Sequence, residues 1–209
     1  RQSIGSADSA LQQFTADAVA ARPDLPESIA ILEKAREQAQ KTLTDAPTIA
    51  KRENDAATIF WGFYFLNTRA RAAYCKERGV DIAPFIAAFR QAHETEVAAA
   101  KAIYRRASVN EGDVYRQMEP MATKTVAQDM EDLAALNEIG ETEACQLFAD
   151  NPEEVVQRVL FAKVTPTVYE TLVVAGALYN GADGMPATGG PSAAPTVPMP
   201  EATVPVVPA

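Results

Sequence analysis

Along most of the chain, apolar residues recur at three- and four-residue spacing, a pattern that predicts amphipathic helices. The exception is the stretch 59–66, Ile-Phe-Trp-Gly-Phe-Tyr-Phe-Leu, which is apolar on every face. Polar, helix-favouring residues flank it, with Lys51, Arg52 and Glu53 before it and Arg69, Arg71 and Lys76 after it. A segment apolar all round inside a longer helical pattern must be surrounded by other elements. It is therefore expected to be the central rung of a helical core. The helix carrying it should run over 48–78, with Gly79 as its stop. Gly62 lies inside that helix at a cost of about 1 kcal/mol relative to alanine. Either another helix approaches closely there, or the glycine leaves room for a ligand beside Trp61.

The remaining helices follow from the same pattern. Ser6 or Asp8 caps a first helix to Ala21, with Leu11, Phe14 and Ala18 on one face. A break around Pro23 and Pro26 leads to a second, striped by Ile29, Leu32, Ala35, Ala39 and Leu43. Asp81 and Pro84 open a helix to Ala107, on which Phe85, Ile86, Phe89, His93, Val97, Ala100 and Tyr104 keep helical spacing. A helix over 114–139 follows, with Met118, Met121, Val126, Met130, Leu133 and Leu136 as its inner face. Pro120 should kink or split it, and Gly140 should end it. Thr142 caps a short helix carrying Cys145, Leu147 and Phe148. Pro152 opens another through Phe161, and Thr165-Pro166 begins a last one to Tyr179. The fold class is thus all-α: a multi-helix bundle around a long aromatic-rich helix.

At residue 180 the composition changes abruptly. A helical domain over 1–179 gives way to a Pro/Ala/Gly-rich segment over 180–209, holding half of the chain's 14 prolines. Such a composition predicts a disordered tail with polyproline II bias.

The net charge is −9, a poor match for nucleic acid, whose phosphates require a basic footprint. No stretch reaches the roughly 20 apolar residues of a membrane helix. The better of the two short apolar candidates, 164–178, contains Glu170. The chain is expected not to span a membrane, though a partner could associate it with one. It begins with Arg1 rather than Met, as a processed or trimmed chain would. Cys75 and Cys145 are its two cysteines, without a Cys-x-x-Cys motif or a Cys/His cluster. That pattern fits one disulfide or two buried thiols; we expect the disulfide, and with it a periplasmic or extracellular location, a cytoplasmic one being the alternative.

Candidate chemistry is sparse. His93 is the single histidine, with Glu96 one turn on. Di-iron bundles need paired Glu-x-x-His motifs, so no metal site is expected. No nucleophile elbow or phosphate loop occurs, and we expect no catalytic residues, no cofactor and no enzyme. Between Lys124 and Arg158 the chain is acidic without a basic residue. Asp129, Glu131, Asp132 and Glu138 there are a candidate docking segment for a basic partner. The alternative is intramolecular, with Arg69, Arg71, Lys76 and Arg78 facing that segment. The leading expectation is a non-enzymatic exported protein, an accessory or structural subunit of an envelope or extracellular assembly. It would dock by helix faces to protein partners or to copies of itself. The alternative is a bundle that binds a small apolar ligand near Trp61, Gly62 and Tyr64.

Overall fold

The structure, a computed structural model, describes residues 3–182. The expected tail therefore lies outside the described residues, apart from its first three. All regular secondary structure among the described residues is helical, as the spacing predicts. α1 (Ser3–Ala21) and α2 (Glu27–Asp45) form a hairpin. α3 (Ile49–Phe65), a π-helical segment (Leu66–Ala70) and α4 (Arg71–Glu77) form the long aromatic-rich rod. α5 (Ala83–Ala92), α6 (Glu94–Ala107) and α7 (Glu111–Leu136) follow. α8 (Glu141–Asp150), α9 (Pro152–Arg158), α10 (Phe161–Val164) and α11 (Pro166–Ala182) complete the described chain.

Two buried clusters share the rod. One surrounds Trp61 and Phe60 and draws on α2, α3, α6, α10 and α11. The other surrounds Cys75 and Cys145 and draws on α4, α5, α7, α8 and α9. Phe63 and Tyr64 pack against both, so the aromatic stretch does join the core.

Several local expectations are corrected. The rod is not α-helical throughout. Asn67 and Thr68 bond their side chains back to the carbonyls of Phe63 (2.9 Å) and Tyr64 (2.8 Å). Such back-bonding competes with the α ladder, and the wider π turn takes its place. The helix expected over 81–107 breaks at His93, where φ is −113°. The Phe89 carbonyl is shared there by the His93 N–H (3.2 Å) and the His93 ring (2.8 Å).

α7 starts at Glu111, capped by Asn110, and runs unbroken through Pro120. Its buried face is Ala122, Val126, Met130 and Ala134, a strict four-residue stripe, while Met121 and Leu136 are exposed. The helix turns out at Glu138 (φ 54°), not at Gly140. Gly140 opens α8 instead, its N–H donating to Glu143 (2.8 Å), so Thr142 is not the cap. On α2, Ile29 is exposed and Ala30 is buried.

Candidate functional site

The α1–α2 hairpin packs against the body without closing on it. Between them lies a groove of about 1110 Å³. Ala16 and Val19 of α1, Ile31, Leu32 and Ala35 of α2, and Phe63 and Leu66 of the rod form apolar walls, to which Val159 and Val164 add. The hairpin faces the body with alanines at several of these positions. Small side chains leave the space that larger ones would fill. The volume lies just above the usual range for ligand pockets, roughly 300–1,000 Å³.

Polar side chains from α1, α2, the rod, α7 and α9 also line the groove, and two of its cationic positions have defined partners. On the rod, Arg71 is 4% exposed. Its Nη2 donates to Asp129 (2.6 Å), its Nη1 to the Met130 sulfur (2.9 Å), and its plane lies 4.7 Å from the Phe148 ring centroid. Its Nε is buried without a hydrogen-bond partner. A buried guanidinium with one donor unpaired and another on sulfur is under-satisfied. At the other place, Arg36 of α2 reaches across to the α10 carbonyls of Val164 (2.5 Å) and Lys163 (3.4 Å). Lys163 itself donates to the Gln157 carbonyl (2.8 Å).

The three residues of the expected ligand pocket fall elsewhere. Trp61 is 2% exposed, stacked on Phe65 with centroids 5.1 Å apart. Its indole N–H is buried without a hydrogen-bond partner. Gly62 faces α7, where an added Cβ would lie 2.3 Å from the Met118 Cε. Tyr64 packs edge-on to Trp61. Trp61 is core, with Gly62 and Tyr64 half-buried beside it, and the groove takes the next face of the rod, Phe63, Leu66 and Asn67.

His93 is fully buried. Its Nε2 accepts from the Phe161 N–H (3.0 Å), and its Nδ1 pairs with the Phe89 carbonyl. Burial holds its pKa below the ordinary value of 6.5, against a smaller opposing effect of that carbonyl and Glu96. With Nε2 accepting, the ring is neutral and Nδ1 is the donor. The histidine locks α5, α6 and α10 together.

Of the acidic segment, Asp129 is paired with Arg71, and Asp132 accepts from Gln128 (2.9 Å). Both line the groove. Glu131 and Glu138 are exposed. Just beyond, Glu141 pairs with Arg78 and accepts from Tyr74 (2.6 Å). Burial and that bond push the Tyr74 hydroxyl up to about 12, while the two donors hold Glu141 below its usual range. Cys75 and Cys145 are joined in a buried disulfide that ties α4 to α8.

Sequence reasoning missed the groove. Nothing in the spacing marks it: Arg71 sits among Ala70, Ala72 and Ala73, but with Arg69 and Lys76 close by it reads as one of a basic run. Compared with known proteins, the chain matches no family model, no curated protein and no solved structure. No single helix among the described residues is long and apolar enough to cross a membrane.

Proposed function

We propose that the chain is a non-enzymatic binding protein that holds an apolar ligand in the groove between the α1–α2 hairpin and the body. The observation that carries this reading is the groove itself, whose walls are apolar side chains from α1, α2 and the rod. The lone histidine, spent on backbone hydrogen bonds, supports binding rather than catalysis. The buried disulfide supports an oxidising compartment, periplasmic or extracellular.

The test is a calorimetric titration with straight-chain alkanols of increasing length. Each methylene moved from water into the groove is worth about 0.8 kcal/mol, or about fourfold in Kd. A slope near that value is expected up to the length of the groove. No measurable binding across the series would end the proposal.

A second reading keeps the assembly role. Val174 and Leu178 are 63% and 64% exposed, one turn apart on the outer side of α11. They offer an apolar face for helix docking between copies of the chain. Sedimentation should then show a dimer that Val174→Asp with Leu178→Asp dissociates; a concentration-independent monomer would exclude this form of docking.

A further inference from the structure

We propose that the groove is built for a single-chain amphiphile with a carboxylate head, and that Arg36 and Lys163 hold the head. The inference rests on the groove reading above and adds the chemistry of the ligand. Its first support is the charge of the lining. Five cationic side chains line the groove against three carboxylates, in a chain whose net charge is −9. An acidic protein has therefore gathered positive charge around this apolar groove. Charge complementarity then selects an anion over a neutral or cationic ligand.

The second support locates the head. Arg71 is paired with Asp129, and Arg158 is paired with Glu154. Those two cations are neutralised within the fold, and Lys124, the fifth, is engaged there as well. Arg36 and Lys163 bond only backbone carbonyls, and no carboxylate among the described residues lies within ion-pair distance of either. The two come from different elements, α2 and α10, and line the same groove: the Arg36 guanidinium crosses to the backbone of Lys163 and Val164, and the Lys163 ammonium rests on the Gln157 carbonyl. A carboxylate there gains two cationic donors without displacing an existing ion pair. Its chain would run from there between Leu32 and Leu66.

The test compares three ligands of one chain length on the full chain: dodecanoate, dodecanol and dodecyltrimethylammonium, each titrated calorimetrically below micelle formation. Dodecanoate is expected to bind about tenfold more tightly than dodecanol, the worth of one or two charge-assisted hydrogen bonds. The cation is expected to be the weakest, and the preference should shrink as salt is added. Combined Arg36→Gln and Lys163→Gln should bring dodecanoate down to the dodecanol level and leave dodecanol unchanged. That unchanged affinity also shows the variant is folded. If the double variant fails to fold, since Arg36 ties α2 to α10, Lys163→Gln alone and the wild-type comparison decide. Equal affinities for dodecanoate and dodecanol in the wild type would overturn the head assignment while leaving the groove reading intact. Failure of dodecanol to bind would overturn both.

Discussion

Gly176 of α11 lies against Ala99 of α6 so closely that a Cβ added there would sit 2.2 Å from the Ala99 Cβ and 2.5 Å from its Cα. The second distance decides the outcome, because Ala99 Cα is backbone and cannot rotate away. Gly176→Ala gains about 1 kcal/mol from helix propensity and lower unfolded-state entropy. Against that, overpacking a well-packed contact costs roughly 1–3 kcal/mol, and a backbone clash belongs at or above the top of that range. The net expectation is a loss of about 2 kcal/mol, or a fall in Tm of roughly 4–8 °C for a chain of this size. Gly62→Ala is the internal control. It makes the same propensity gain, but its Cβ meets the terminal methyl of Met118 at 2.3 Å. That methyl ends an unbranched, flexible side chain and can swing aside. Gly62→Ala is expected to be neutral or stabilising by up to about 1 kcal/mol. Urea unfolding followed by far-ultraviolet circular dichroism measures both. Adding Ala99→Gly to Gly176→Ala should restore part of the loss through a positive coupling. A Gly176→Ala variant as stable as Gly62→Ala would refute the close α6–α11 crossing.

The other predictions concern the disulfide and the histidine. Replacing Cys75 and Cys145 by Ala opens a loop of 70 residues, and the chain-entropy estimate for that length is about 4 kcal/mol; a loss under about 1 kcal/mol by the same unfolding assay would contradict a native bridge. For His93, the folded pKa is depressed by burial, so the unfolded chain binds more protons once pH falls below about 6.5. Stability is then full above that pH and declines as pH drops towards the folded value, by at most about 1.4 kcal/mol per pH unit. Glu141, also depressed, acts in the same direction only near and below its ordinary 4.5. The interval between pH 6.5 and 5 therefore isolates the histidine, and His93→Gln should flatten the decline there. An unchanged slope in that variant would show that another group titrates.

The all-α class and the central place of residues 59–66 were legible because both rest on long-range periodicity, which single residues barely disturb. The disulfide was legible because two cysteines allow only one pairing. Boundaries were less so where side chains compete with the backbone. Asn67 and Thr68 look unremarkable in a helix, yet their bonds to i−4 carbonyls turn the rod into a π segment. His93 keeps the apolar period of its helix, and only its partner Phe161, 68 residues away, marks it as a joint. The stop of α7 was misplaced because Glu138 takes the left-handed conformation usually given to glycine. On the inner face of α7, Val126 and Met130 were placed correctly, but Met121 and Leu136 were favoured over Ala122 and Ala134, which are small enough for close packing. The groove was invisible for a related reason. It is a space left by alanines on α1 and α2 opposite Phe63 and Leu66, and unfilled volume has no signature in one chain's spacing.

The central claim is that this space, and not the aromatic core around Trp61, receives the ligand. Ala35 is exposed on α2 and lines the groove. Ala35→Trp should obstruct it between Leu32 and Arg36 without touching either buried cluster. The decisive measurement is the calorimetric affinity of dodecanol for the wild type and for Ala35→Trp, with urea stability measured alongside. The account predicts binding by the wild type, its loss in the variant, and stability changed by less than about 0.5 kcal/mol, as for a surface substitution. Equal affinity in the two proteins would place the ligand elsewhere and contradict the account.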